Sequence, residues 1–221
     1  MRYINSAIGR KQIMGLTGLL WAGFVLMHML GNLLIIAGPK AYNSYGHAII
    51  SNPLLVLAEA GLVLTLLGHV AQGIKLTLKN KAARISKYEM ATNGKKAARF
   101  QSKWMIFHGS ILLVFIILHL AHFKFGAGEA DGYFVTINGV QMRDLHRLVI
   151  ETFHKPLFLG WYIVAMVIAG FHLSHGFYSA FASLGIYHPK LSPMLSKIGY
   201  VYSAVVALGF IVPPIYVFIA L

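Results

Sequence analysis

The sequence predicts an all-α integral membrane protein: one bundle of five transmembrane helices with its N-terminus in the cytoplasm and its C-terminus outside. Three observations predict it. Of the 221 residues, 57% are hydrophobic and only 11% are charged, a composition far from that of a soluble domain. Apolar runs lie near 13–36, 54–78, 104–123, 156–182 and 198–221. Each has about the length that crosses a hydrocarbon core of roughly 30 Å at about 1.5 Å rise per residue. The charges between the runs segregate by side.

The N-terminus carries Arg2, Arg10 and Lys11, and the segment 75–103 carries Lys75, Lys79, Lys81, Arg84, Lys87, Lys95, Lys96, Arg99 and Lys103 against Glu89 alone. The segment 37–53 holds only Lys40, and 124–155 balances Lys124, Arg143, Arg147 and Lys155 with Glu129, Asp131, Asp144 and Glu151. Cytoplasmic loops hold the Lys/Arg excess, which sets the orientation. The net charge of +13 is therefore assigned to topology, with membrane lipids and not nucleic acid as its partner. The five runs leave little chain for an extramembrane domain. The first run lacks the short apolar core and small-residue cleavage site of a signal peptide and is read as a retained helix. There is no cysteine, which excludes disulfides, thiolate-held clusters and a covalently attached CxxCH haem. Eleven histidines and nine methionines are the nitrogen and sulfur ligands that remain.

In chain order, the first run (IMGLTGLLWAGFVLMHMLGNLLII) carries His28 roughly 22 Å from the inner face, in the outer half. A histidine this deep in a span is costly without a partner and so is a site candidate. The small residues Gly15, Thr17, Gly18, Ala22 and Gly23 leading to it allow a bulky group to approach the backbone. Segment 38–53, GPKAYNSYGHAIISNP, is read as a polar loop at the outer interface, punctuated by Gly-Pro and Asn-Pro. The second run returns inward with Glu59 near its outer end and His69 roughly 22 Å from that end. Glu59 is either a solvated interface residue or a proton-accepting group facing a cavity. The basic loop 79–103 is read as a headgroup anchor and as a docking surface for a soluble cytoplasmic partner. The third run heads outward with His108 near its start, His119 about 22–24 Å deep, and His122 a turn further. Turn signals at Asp131-Gly132 and Asn138-Gly139 follow, then QMRDLHRLVIETF as a short amphipathic piece on the outer surface. The fourth run opens on Pro156, suited to a first turn. It places His172 roughly 24 Å from the outer side, with His175 a turn deeper. The fifth has no histidine and reads as a packing helix kinked at Pro213-Pro214.

Because the runs alternate in direction, four of these histidines sort into two levels: His28 with His119 on the outer side, His69 with His172 on the inner. The levels differ by about 14–15 Å along the membrane normal. Two histidines facing across a bundle can bind one iron from both sides, the arrangement of a bis-imidazole haem that transfers electrons and leaves no position for oxygen. A lone buried histidine is more often a satisfied core residue; four at paired depths form a far more specific pattern. His122 and His175 lie close to the headgroups and are assigned to haem propionates or a quinone site.

Those depths come with recognisable motifs: TGLLWAGFVLMHMLGN (17–32), KAYNSYGHAIISNPLLVLAE (40–59), LGHVAQGI (67–74), IILHLAHF (116–123), KPLFLGWYIV (155–164) and GFHLSHGFYSAFASLGI (170–186). With them nearly the whole chain resembles the di-haem cytochrome b subunit of succinate:quinone oxidoreductases, the succinate dehydrogenases and fumarate reductases. The resemblance implies two b haems ligated by His28, His69, His119 and His172. It also implies a flavoprotein and an iron–sulfur subunit on the basic cytoplasmic face of a bacterial cytoplasmic membrane, with room for a dimer of complexes. Electrons would pass between the iron–sulfur subunit, the inner haem, the outer haem and a quinone near the outer side, with menaquinone expected. Glu59, His47 and Lys40 are candidates for the quinone end. Some family members have a glutamate two residues before the fourth-helix ligand, implicated in proton movement; here that residue is Gly170, so this mechanism is not carried over. Two alternatives stay open: a di-haem cytochrome of another membrane dehydrogenase, such as a hydrogenase or formate dehydrogenase, and a histidine-lined transporter or proton channel.

Overall fold

The computed structural model describes residues 3, 6–82 and 100–221, without the side chains of 100–103. The chain begins with α1 (Ala7–Leu33), a 3-10 turn (Leu34–Ala37), α2 (Pro39–Ile50), α3 (Leu55–Ala82) and α4 (Phe100–His119). A π-helical turn (Leu120–Lys124), a short 3-10 turn (Glu129–Asp131), β1 (Phe134–Ile137), β2 (Val140–Arg143), α5 (Leu145–Phe153), α6 (Pro156–Ser183) and α7 (Leu191–Ala220) complete it. Helices α1, α3, α4, α6 and α7 are long and apolar enough to cross a membrane. A helix meets the main constraint of that solvent, because its backbone polar groups are satisfied within the segment.

The helices overrun the apolar runs at their polar ends. The first starts where the Ser6 hydroxyl accepts from Gly9 N at 3.0 Å, an N-cap that hydropathy does not register. The last starts at Leu191 and not at 198. It continues through Pro213 and Pro214, both buried. Of the basic segment 79–103, residues 79–82 finish α3 and 100–103 begin α4. Arg84, Lys87, Glu89, Lys95, Lys96 and Arg99, like Arg2, lie outside the described residues.

Segment 38–53 is mostly a helix, which corrects the loop expectation. Gly38 turns the chain at φ +94° and Pro39 occupies the first turn of α2, while Asn52-Pro53 lies just past its end. The punctuation brackets the helix. What holds it is tertiary: Asn43 is 1% exposed, and Gly46 passes so close to α5 that a Cβ there would stand 2.7 Å from Leu145 Cδ1.

The turn signals at 131–139 resolve into an antiparallel ribbon, so one two-stranded sheet accompanies the helices. Asn138 and Gly139 take φ of 52° and 80°, the pair of positive values a type I′ turn needs, and Ile137 pairs with Val140 across it. The amphipathic piece 141–153 is also corrected. Its first three residues belong to β2. Asp144 then caps α5 by accepting from Arg147 N at 3.0 Å. The apolar face of α5 points into the protein: Leu148, Val149 and Phe153 are buried, the last two in one cluster with Ile35, Phe115, Tyr162 and Val217. Thus α2, the ribbon and α5 cap one end of the bundle. Arg143 fastens the cap, donating to the carbonyls of Phe123 (2.9 Å), Gly126 (3.2 Å) and Ala127 (2.6 Å), where α4 and its π turn end.

Within the bundle α6 and α7 pack most extensively, and α1 meets α3, α6 and α7. Contact between α3 and α4 is slight, and no residue of α3 is buried. At Gly15 two helices meet backbone to backbone: a Cβ there would stand 2.9 Å from the Ala180 carbonyl oxygen.

Candidate functional site

Four transmembrane helices bring the mid-span histidines together in the pairs that depth predicts. On the capped side, His28 of α1 and His119 of α4 have ring centroids 5.8 Å apart at an interplanar angle of 86°. On the opposite side, His69 of α3 and His172 of α6 are 6.3 Å apart at 62°. The placement follows from periodicity: antiparallel helices of similar length carry residues equally far from opposite ends to different heights.

Neighbours orient each ring. His28 stacks on Phe24 (5.4 Å, 12°), and His119 on Phe115 (5.6 Å, 27°). His119 Nδ1 lies 3.2 Å from the hydroxyl of Tyr162, which is 8% exposed. His69 Nδ1 lies 3.2 Å from Thr17 Oγ1. Asn32 Nδ2 donates to the His28 carbonyl at 2.8 Å and stands 3.4 Å from His28 Nε2. His172 Nδ1 is buried with no hydrogen-bond partner among the described residues, as are His108 Nδ1, Gln72 Oε1 and Trp161 Nε1.

The pairs can be tested against a haem. An imidazole nitrogen bonds a first-row metal at about 2.0–2.1 Å, and the ring centroid lies roughly 1.1 Å behind it. Two imidazoles sharing one metal from opposite sides therefore have centroids about 6.2 Å apart. Separations of 5.8 and 6.3 Å fit. All four histidines are half-buried. Among the described residues no group of three or more His, Cys, Asp or Glu could hold a metal ion. A bare ion would find two ligands per level; a metal arriving with in-plane donors of its own would need no more.

The other candidates are dispersed. His122 sits on the π turn with its ring edge-on to Phe158 at 4.4 Å, and His175 is half-buried one turn along α6 from His172. Glu59 forms an ion pair with Lys124, each side chain 40% exposed, so its partner is neither Lys40 nor His47. On α2, Lys40 is exposed and His47 half-buried.

The capped end holds a polar line that sequence reasoning missed. The Tyr42 hydroxyl donates to Asn32 Oδ1 at 3.2 Å, one step from His28. The Tyr42 ring meets the His146 ring at 6.3 Å. Asn43 donates to Asp144 Oδ1 at 2.9 Å and accepts from His146 N at 2.9 Å. Burial, with the neighbouring Tyr45, pushes Tyr42 up to about 12. Burial lowers His146, opposed by the Asp144 charge, and its Nε2 is buried without a hydrogen-bond partner among the described residues. Of these residues only Asn32 carries a local signal, standing one helical turn after His28.

Comparison with known proteins matches no family model, no curated protein and no solved structure.

Proposed function

We propose that this chain is the membrane anchor and electron-transfer subunit of a succinate:quinone oxidoreductase, a succinate dehydrogenase or a fumarate reductase. In this reading His28 with His119, and His69 with His172, hold two b haems at two depths of one bundle. The observation that carries it is the facing of two histidine pairs from four different spans at 5.8 and 6.3 Å between centroids. A single structural histidine has no reason to repeat across the bundle with this spacing. Bound there, the two haems would relay single electrons between the faces of the membrane. The residues supply the rest: Phe24 and Phe115 hold two of the rings by stacking, and Thr17 and Tyr162 bond to ring nitrogens. The bundle keeps both levels out of water.

The partners in this reading are a flavoprotein and an iron–sulfur subunit at the end opposite the cap, where Arg10, Lys11, Lys79 and Lys81 lie, and a quinone, menaquinone expected, at the capped end. The host is a bacterial cytoplasmic membrane with the cap outside. Glu59, His122, His47 and Lys40 belong to the quinone end and His175 to the propionate side of the inner haem. A reduced-minus-oxidised spectrum of the purified chain tests the assignment. Two b haems per chain are expected; absence of b-type bands overturns it.

A further inference from the structure

The two histidine pairs have one feature in common beyond spacing: in each, one imidazole is tied through Nδ1 to a hydroxyl oxygen and its partner is not. At the inner level the tie decides a tautomer. The Thr17 hydroxyl proton is already given to the carbonyl of Ile13 at 2.7 Å, with Met14 O at 3.2 Å. Toward His69 Nδ1, 3.2 Å away, Thr17 Oγ1 can only accept. This arrangement favours the proton on Nδ1 of His69 and the lone pair on Nε2, and the Met14 carbonyl is a second backbone partner of the same ring. Across the pair, His172 Nδ1 has no hydrogen-bond partner among the described residues. At the outer level the Tyr162 oxygen stands at 3.2 Å from His119 Nδ1, and the ring across from it, His28, has only Asn32 near a ring nitrogen, at 3.4 Å.

We infer that Thr17 is a positioning residue that keeps His69 in the tautomer with Nε2 free to bind a metal, and so serves the inner level. This rests on the haem reading above. A hydrogen bond accepted from the far ring nitrogen raises the basicity of the ligating one and fixes the ring's rotation. A more basic ligand favours the oxidised metal. Removing the acceptor should therefore raise the reduction potential of the level it serves and leave the other level alone.

The test uses membranes carrying the full chain, with each level's spectral signal assigned from the single-histidine variants. Thr17→Val removes the hydroxyl at nearly constant volume; Thr17→Ser keeps it; Tyr162→Phe leaves the ring packed against Phe115 and Phe153. Potentiometric titration and electron paramagnetic resonance give the readout. Thr17→Val should raise the inner potential alone, or lose the inner haem alone, and Thr17→Ser should restore it. Tyr162→Phe is the control at the other level and should leave the inner potential unchanged. In Thr17→Val, an unchanged inner potential, a shift at the outer level alone, or loss of both haems overturns the inference while the haem reading stands. An unmutated chain without haem overturns both.

Discussion

The rings of His28 and His119 meet nearly perpendicular, 86° between planes with 5.8 Å between centroids, on two helices, α1 and α4, that run in the same direction. A second facing pair, His69 and His172, lies 6.3 Å apart at 62°, and the two pairs make a sharp prediction about stoichiometry. His28→Ala or His119→Ala should each lose one haem and keep the other, and His69→Ala or His172→Ala should do the reverse. Haem per chain by pyridine haemochrome, with the spectrum of the survivor, checks it. Retention of both haems in any one variant would refute that residue's assignment.

Arg143 binds several carbonyls at the end of α4. Arg143→Ala should strand those carbonyls and lower stability by about 1–3 kcal/mol, the cost of leaving buried acceptors unpaired. The damage should fall on the capped end, where His119 sits, before it reaches His69 and His172. Arg143→Lys should restore only part of it, since an ammonium cannot fork across several acceptors. Thermal unfolding in detergent, followed separately at the two levels, is the measurement.

Gly15 faces backbone, so a side chain there has nothing to displace but helix α6 itself. Gly15→Val should cost about 1–3 kcal/mol by overpacking. The control is Gly23→Ala, where a Cβ would meet nothing within 4 Å. Detergent melting curves should separate the two.

Breaking the Glu59–Lys124 pair separates a structural from a chemical role. Both side chains are 40% exposed, so Glu59→Gln should change stability by only about 0–1 kcal/mol. If Glu59 handles protons at the quinone end, the variant should nevertheless slow quinone reduction several-fold. Equal quinone turnover in the variant would assign Glu59 to the ion pair alone.

His146 predicts a pH dependence of the cap. Its burial holds the folded pKa below the ordinary histidine value, so the unfolded cap binds the proton more readily. The stability His146 contributes is present above pH of about 6.5 and is lost as pH falls toward the folded value. Amide exchange in α5 should quicken on acidification through that window. His146→Gln should flatten the profile.

How much of this was legible in the sequence depends on the range of the interaction involved. The histidine levels and the spans follow from rise per residue and hydropathy, which are local quantities. The Asn138-Gly139 turn follows from the two residues that tolerate its backbone. Helix α2 did not, because its polar sequence becomes helical only when Asn43 meets Asp144, which lies 101 positions further along. Glu59 likewise shows no sign in its own run of the lysine that neutralises it from α4's far end. Tyr162 reads as another aromatic in an apolar run; only the fold puts its hydroxyl beside His119.

Helix α3 has no buried residue over its 28 positions. Few polar ties join it to its neighbours: Thr65 to Trp21, His69 to Thr17, Glu59 to Lys124. Its packing is mainly against α1, so most of its surface is left for lipid or for a group held between the histidine pairs. If haems bind as proposed, maturation would have an order: the chain would thread into the bilayer first, and the haem ligated by His69 would then draw α3 against the bundle. On that reading, a chain denied haem would expose α3 to proteases more readily than the haem-loaded chain.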